Sequence, residues 1–171
     1  MRQVVYSVAA SLDGFISGPN GESDWIVMDP EIDFSAVFAR FDTFLLGRKT
    51  YEATRGAGGG GSQRGTTSYV FSRTLQQDDC PGVVVSDDPA GTITALKQQP
   101  GKDIWLFGGG ELFASLVGLR LVDTVEVAII PVLLGEGVPF SRGPQSRAEL
   151  QLVDHRVYSA TGTVALTYQV R

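Results

Sequence analysis

Cysteine and histidine are almost absent from this 171-residue chain, which contains only Cys80 and His155. A single cysteine excludes an internal disulfide and fits a reducing cytoplasm, where we expect the protein to act. One histidine and one cysteine do not supply the nitrogen and sulfur ligands of a usual zinc site. We therefore expect no bound metal, and we interpret both residues as structural or exposed positions.

Positive charge is also scarce, since 14 Lys and Arg residues stand against 19 Asp and Glu residues, for a net charge of −5. This balance argues against a general nucleic-acid partner. Long apolar runs are missing too, because Glu111, Arg120 and Asp123 interrupt the longest candidate for a membrane span. The first residues favour a strand over a signal peptide. We expect neither nucleic acid nor a membrane as a partner.

The residues that are present have a globular composition, in which two apolar patterns alternate. The chain is 43% hydrophobic and 19% charged, and its length suits one domain over residues 1–171. Continuous apolar runs predict buried strands, and apolar residues at helical spacing predict helices between them. The predicted strands cover residues 3–10, 42–47, 67–72, 82–86, 103–107 and 122–130, and helices are predicted to start near 29, 48, 89 and 110.

Buried strands separated by helices imply an α/β fold with a mostly parallel central sheet and helices on both faces. The first helix is predicted to begin at Asp29 and Pro30, because aspartate caps a helix and proline fits its first turn. Residues 149–170 alternate on both sides of a Ser-Ala-Thr-Gly turn, and this pattern predicts an antiparallel C-terminal hairpin.

A run of three glycines, Gly108, Gly109 and Gly110, separates the predicted strand 103–107 from the next helix. Glycine lets a phosphate lie against the backbone, and the helix N-terminus supplies unpaired N–H groups and partial positive charge. The run therefore predicts an anion site, although a tight strand-to-helix turn explains it equally well. It is not a Rossmann fingerprint, because Phe113 stands where the third glycine belongs.

The segment "LLGRKTYE" repeats the same arrangement of strand, glycine and helix. Gly47 precedes Arg48, Lys49 and Thr50, whose two charges and hydroxyl suit a phosphate ester. It is not a P-loop, since Asp42 occupies the position of the first glycine. Taken alone, the two basic residues are more typical of a solvated helix start.

A third strand, in "VFSRTL", ends at Ser72 and Arg73. Ligands of open α/β sheets bind outside the carboxyl ends of the strands. Three strand ends with phosphate-binding groups are therefore expected along one edge. They indicate a dinucleotide with an additional phosphate, which favours NADPH over NADH.

The ordered segments "SLDG", "DTFLLGRKTYE", "FSRTL", "WLFGGGELF" and "LVDTVEVAIIPVLLGEGVPF" resemble the dihydrofolate-reductase-like superfamily. The resemblance is strongest to the reductase domain of riboflavin biosynthesis and its stand-alone bacterial relatives, and it spans about residues 3–140. It implies a three-layer α/β/α fold, a cis peptide within the glycine run and a homodimer. Its implied NADPH contacts are Arg48, Lys49 and Thr50 for the adenosine phosphates, Ser72 and Arg73 for the 2′-phosphate, and Gly108, Gly109, Gly110 and Glu111 for the pyrophosphate and nicotinamide side.

On the substrate side, the resemblance implies that Asp13 lies near the nicotinamide and that Trp25 covers a planar substrate. From the residues alone, Asp13-Gly14 is a turn and Trp25 can equally close the core. We take Asp13 or an ordered water as the proton source. The glycine-rich segment 55–65 is expected to be a surface loop, with a lid over the adenosine as the alternative.

The resemblance implies NADPH-dependent reduction of a small heterocyclic or sugar-linked substrate, similar to 5-amino-6-(5-phosphoribosylamino)uracil reductase. The zinc motif of the fused deaminase is missing. One alternative is a dihydrofolate reductase that uses Asp29 or Glu31, although Pro30 stands where that family has its acidic residue. The other is a nucleotide-binding module without turnover. Apolar residues 131–135 are a candidate subunit contact.

Overall fold

Ten strands and four α-helices make up the described part of the chain, residues 1–55, 65–143 and 147–171 of a computed structural model. The strands are β1 Val4–Ser11, β2 Phe15–Ser17, β3 Phe41–Gly47, β4 Thr67–Phe71, β5 Val84–Ser86, β6 Asp103–Gly108, β7 Thr124–Ile130, β8 Val138–Pro139, β9 Leu150–Tyr158 and β10 Thr163–Val170. The helices are α1 Phe34–Ala39, α2 Arg48–Thr54, α3 Pro89–Gln98 and α4 Gly110–Gly118.

Eight of these strands form one sheet in the order β5-β4-β3-β6-β1-β7-β10-β9. The six strands from β5 to β7 are parallel, and β10 joins β7 and β9 in antiparallel pairs. The prediction of a mostly parallel α/β sheet with an antiparallel C-terminal hairpin is therefore confirmed. Because the strands are parallel, the ends of β1, β3, β4 and β6 lie along one edge.

The alternation of side chains along each strand explains the three layers. Tyr6 and Leu106 face one side, where they pack in one cluster with Phe113 and Leu116 of α4. Trp105, which precedes Leu106 on β6 and pairs with Val5, belongs to a second cluster on the other side. That second cluster also holds Val5, Phe44, Leu46 and Tyr51, with Val37 and Phe38 of α1 packed against it.

The first helix starts later than the sequence predicts. α1 begins at Phe34, and Asp33 is its cap, since the Asp33 carboxylate accepts a hydrogen bond from the backbone N–H of Ala36 at 3.0 Å. Asp29 is only 2% exposed, and its carboxylate accepts hydrogen bonds from Thr161 Oγ1 and the Glu31 N–H. The prediction of a helix cap at Asp29 was wrong, because this carboxylate ties the loop to the C-terminal hairpin.

A small second sheet was not predicted. β2 pairs antiparallel with β8, and neither segment is among the predicted strands. Two or three residues are too few to show a strand periodicity, so only the tertiary pairing identifies these strands. Within the described ranges, no helix has both the length and the apolar character that crossing a bilayer requires.

Candidate functional site

The tips of β3 and β6 meet at their glycines. A Cβ atom added to Gly47 would lie 3.7 Å from the carbonyl oxygen of Gly108 and from the nitrogen of Gly109. The Gly108–Gly109 peptide is cis, as the resemblance implies. A Cβ on Gly109 would lie 3.3 Å from Thr50 Oγ1, which places the threonine hydroxyl against the glycine backbone. Two of the three predicted strand ends therefore form one backbone cradle.

The three glycines of the run are required for different reasons. Gly108 has a φ of +136°, a conformation that other residues rarely adopt. Gly110 is buried against the segment after β8, and an added Cβ would lie 2.5 Å from the Pro139 carbonyl oxygen. Gly110 is therefore required by the protein's own packing, whereas Gly109 keeps open backbone beside Thr50.

Two cations flank the cradle and share one carboxylate. Lys49 Nζ lies 3.5 Å from Glu111 Oε1, and Arg142 Nε lies 3.8 Å from the same oxygen. The backbone N–H of Arg142 also donates to the Gly110 carbonyl at 3.2 Å. All three side chains are more than half exposed, so the pairs are weak and can rearrange. No sequence signal pointed to Arg142, which comes close through the chain after β8.

The third predicted strand end lies one strand farther out. Phe71 at the end of β4 pairs in register with Gly47, so Ser72 follows next to the start of α2. The Ser72 hydroxyl oxygen accepts hydrogen bonds from the backbone N–H groups of Thr74 and Leu75 at 3.1 and 3.0 Å. Arg73 is exposed. The structure therefore places Ser72 and Arg73 at the same edge of the sheet, beyond the glycine cradle.

A cavity of about 1440 Å³ opens at the cradle and continues under the sheet on the side of α1. Of the predicted cofactor residues it is lined by Gly47, Arg48, Lys49, Thr50, Gly109, Gly110 and Glu111. Three other predicted cofactor residues, all within the described ranges, do not line the cavity: Gly108, Ser72 and Arg73.

The floor of this cavity is the face of β1, β7, β10 and β9 on the α1 side. Two rows of residues cross the four strands in register, and their members all line the cavity. One row is Ser7, Glu126, Thr167 and Asp154, and the other is Ala9, Ala128, Ala165 and Arg156. The three alanines of the second row leave space above the sheet, because no large side chain rises from their positions on β1, β7 and β10.

Asp13 is held by three hydrogen bonds. Its carboxylate accepts from Ser11 Oγ at 2.6 Å and from the backbone N–H groups of Leu134 and Gly135 at 3.1 and 2.8 Å. The bond from Ser11, followed by that from Gly135, lowers the pKa of Asp13 below its usual 3.8. Asp13 thereby fastens the loop after β7 to the end of β1.

The other predicted acids and the tryptophan lie beside the cavity. Trp25 is half-buried, and its Nε1 donates to the Glu22 carbonyl at 3.0 Å. Trp25 is not itself in the cavity lining, which includes Ser23 before it and Ile26 after it. Backbone donation from Glu31, the largest cause, lowers the pKa of Asp29. Glu31 forms an ion pair with Arg156 at 3.0 Å.

The comparisons with known proteins agree with this geometry. Residues 2–164 match the model of the RibD C-terminal domain. The chain belongs to the RibD C-terminal domain family. The uncharacterised Bacillus subtilis (strain 168) protein YyaP is 36% identical, and the match covers 98% of this chain and 94% of YyaP.

Two solved structures share the fold of this RibD C-terminal domain protein. A protein assigned to riboflavin biosynthesis from Shewanella sp. PV-4 superposes with a TM-score of 0.82 at 23% identity, over 100% of this chain and 99% of that one. Enterococcus faecalis dihydrofolate reductase, in complex with NADP(H) and RAB-propyl, superposes with a TM-score of 0.70 at 21% identity, over 99% and 96%. These likenesses confirm the dihydrofolate-reductase-like fold.

Two further expectations concern the loop and the metal. The segment 55–65, predicted to be a surface loop with a lid as the alternative, falls almost entirely on residues 56–64, which lie outside the described ranges. Among the described residues, no group of three or more His, Cys, Asp or Glu side chains is arranged to hold a metal ion.

Proposed function

We propose that this protein is an NADPH-dependent reductase of a small heterocyclic or sugar-linked substrate, similar to 5-amino-6-(5-phosphoribosylamino)uracil reductase. The observation that carries the proposal is the meeting of two glycine strand ends, with their cations and a hydroxyl, at the mouth of a large cavity. Membership of the RibD C-terminal domain family supports a reductase. The cavity exceeds the usual volume for one small ligand, which leaves room for cofactor and substrate together.

The residues at the cradle fit a dinucleotide phosphate. The N-terminal residues of α2 and α4 have glycine caps without side-chain hydrogen bonds, so their N–H groups are available to an anion. We assign the phosphates to Arg48, Lys49 and Thr50, and the pyrophosphate and nicotinamide side to the glycine run and Glu111. When bound, the cofactor supplies a hydride. The protein contributes position and local positive charge.

Specificity for NADPH over NADH is assigned to Arg73, with Ser72 beside it. Arg73 stands at the strand end next to Arg48 and is exposed, so its guanidinium is accessible to a 2′-phosphate. The Ser72 hydroxyl organises the turn by accepting from the backbone N–H groups of Thr74 and Leu75, and it also lies 3.3 Å from Thr74 Oγ1, a long contact that a phosphate oxygen can replace as the acceptor of the Ser72 proton.

Asp13 remains our candidate near the reacting atoms, in a positioning role. A carboxyl with a lowered pKa stays ionised at neutral pH and is a poor proton donor. We therefore assign proton delivery to an ordered water and give Asp13 the task of holding the loop that carries Leu134 and Gly135. Trp25 stays a proposed substrate neighbour, since the lining continues through Ile26 and Val27.

The proposal is tested by measuring NADPH binding and then NADPH oxidation with a panel of pyrimidine, pteridine and sugar-linked substrates. We expect NADPH to bind more tightly than NADH, and at least one pyrimidine or sugar-linked substrate to be turned over. Tight binding without oxidation across the panel would instead identify a nucleotide-binding module. Failure of NADPH to bind would overturn the proposal.

Dihydrofolate reduction is the second enzymatic candidate. It needs a carboxyl that faces the substrate, but Asp29 is buried against Thr161 and Glu31 is paired with Arg156. Rapid dihydrofolate turnover that Asp29→Asn abolishes would promote it.

We further propose a homodimer, as the resemblance implies. Leu133, in the predicted contact segment 131–135, is 70% exposed, and the edge strand β9 exposes Leu152 and Val157. Apolar exposure of this kind is typical of an association surface. Sedimentation equilibrium should give twice the mass of 18.3 kDa, and a concentration-independent monomer would refute the proposal.

A further inference from the structure

An ion pair that the proposed reduction does not use lines the cavity away from the glycine cradle. Arg40 follows α1 and Glu126 lies on β7, and their side chains form a bidentate pair with nitrogen-to-oxygen distances of 3.1 and 2.6 Å. Both residues line the same cavity as Gly109 and Gly110. The cavity therefore has a glycine end and a charged end.

The two ends are far apart. Glu126 pairs in register with Ser7 on β1, and the neighbouring Tyr6 pairs with Leu106 on β6, so the glycine run begins only about one residue farther along the strands than Glu126. The separation runs across the sheet: β1 lies between β6 and β7, and two strand spacings of about 4.8 Å put the charged end roughly 10 Å from the glycine end. Ala9 on β1 lies between them on the floor. A ligand that reaches from the reacting edge to the pair must be elongated.

The wall beside the pair is apolar. Trp105 Nε1 donates to the Ser7 carbonyl at 2.9 Å, so the polar atom of this ring is already satisfied. The ring of Phe38 lies 5.1 Å from that of Trp105, and both side chains line the cavity. Arg40 and Glu126 are thus the charged groups beside an aromatic wall, where an occupant would remove them from water.

The pair keeps free hydrogen-bonding capacity. The Arg40 side chain is 43% exposed and that of Glu126 is 19% exposed. After the bidentate contact, the guanidinium retains N–H donors and the carboxylate retains acceptor lone pairs. The hydrogen bond that Arg40 donates to the Glu126 carboxylate raises the pKa of Arg40, as expected for a persistent pair. An occupant that leaves these groups unbonded bears their desolvation cost, whereas one that bonds to both avoids it.

We propose that Arg40 and Glu126 select an elongated substrate whose far end carries a neutral group with a donor beside an acceptor, such as a primary carboxamide. The amide N–H donates to Glu126, and the carbonyl oxygen accepts from Arg40. The inference rests on the proposed function, because it places the reacting group at the glycine end of the same cavity. It makes the two residues determinants of specificity, without a part in hydride or proton transfer.

Three matched probes test this selection on the full chain saturated with NADPH: naphthalene-2-carboxamide, 2-acetonaphthone and 2-naphthoate. All three carry the same flat naphthalene ring. The carboxamide offers a hydrogen-bond donor and an acceptor, the ketone offers an acceptor alone, and the naphthoate is an anion. We expect the native protein to bind the carboxamide about tenfold more tightly than the ketone, the effect of one net hydrogen bond to a charged group.

Two substitutions change the expected order in opposite ways. Glu126→Gln frees Arg40 from its anionic partner, so the naphthoate becomes the preferred probe. Arg40→Gln leaves an uncompensated carboxylate, so the naphthoate is rejected most strongly and the carboxamide loses about tenfold in affinity. Glu149→Gln, which removes an exposed ion pair with Arg147 outside the cavity lining, should leave all three affinities unchanged.

Equal binding of the three probes to native protein would overturn the inference without any variant. An unchanged order of probe affinities in Glu126→Gln would also overturn it. A third contrary outcome is that no probe binds to native protein and the dimer dissociates in Glu126→Gln, because a second copy of the chain would then occupy the charged end. NADPH affinity is measured separately, and the probe titrations are repeated without it. Loss of NADPH binding alone rejects the proposed function, whereas normal NADPH binding without probe discrimination rejects only the selection by Arg40 and Glu126.

Discussion

The half of the sheet from β5 to β6 and the half from β1 to β9 are built from similar strands in different surroundings. In the first half, helices pack on both faces, and Leu45, Leu46 and Leu106 are fully buried. In the second half the face on the α1 side is open to the cavity, and every residue of β9 except Tyr158 is exposed.

The difference shows where this fold makes room for ligands. Large apolar side chains fill the space where two layers of helix close over the sheet. Where the layer on the α1 side ends, alanine, serine and threonine replace them, and a few charged residues stand among these. The covered half provides stability and the strand ends, and the open half provides the cavity.

The largest expected effect on this comparison comes from a large-to-small substitution in the core of the covered half. Leu106→Ala removes a side chain with no exposure, and should lower the free energy of unfolding by about 2–5 kcal/mol. Val157→Ala, at a side chain that is 60% exposed on β9, should change it by less than about 0.5 kcal/mol. Urea denaturation measures both, and equal losses would contradict the division into two halves.

The next effect concerns the tip of β6. Gly110→Ala places a methyl group 2.5 Å from the Pro139 carbonyl, so it should cost about 1–3 kcal/mol of stability and weaken NADPH binding. Gly118→Ala, at the other end of α4, meets nothing within 4 Å and should stabilise by about 0.4–1 kcal/mol. Thermal unfolding measures the change in stability of each variant, and repeating it with NADPH measures the change in binding. If both substitutions changed the stability in the same direction, the packing explanation for Gly110 would be refuted.

A smaller effect tests how far the cofactor site extends into the covered half. Arg73→Gln should weaken NADPH binding about tenfold by removing a charge-assisted hydrogen bond, and should leave NADH binding unchanged. Arg147→Gln, whose side chain is 90% exposed, should change neither affinity. Fluorescence titration with both nucleotides provides the measurement. If Arg73→Gln weakened NADPH and NADH binding equally, Arg73 would not be the residue that binds the 2′-phosphate.

The smallest effect is the pH dependence of the Asp13 contact, where β1 meets the loop after β7. Because folding lowers the pKa of Asp13, its contribution to stability is present above the unfolded value of 3.8 and is lost as the pH falls through the folded value. Asp13→Asn should therefore be less stable than native protein at pH 7, and the difference should shrink below pH 3.8. Melting temperatures across this range test it, and a constant difference would show that the ionised carboxylate is not responsible.

Predictability from the sequence differed between elements for physical reasons. The strands around Val5, Leu45 and Leu106 follow continuous apolar runs, so their positions were confirmed to within one or two residues. The start of α1 was missed because Asp29 and Asp33 are both good caps, and contact with Thr161 removes the first from that role. The cradle at Gly47 and Gly109 was predicted from local motifs, whereas Arg142 joins it only through the path of the chain after β8.

The sequence by itself determined the α/β class, the order of strands and helices, and the glycine strand ends, because these depend on neighbours within a few residues. Only the tertiary structure decided which face of the sheet stays open, which glycine is required by the Pro139 carbonyl, and which charges meet in the cavity. Arg40 and Glu126 are 86 positions apart, and nothing in either segment specifies the other. Their contact follows from strand order and register, which are properties of the whole folded chain.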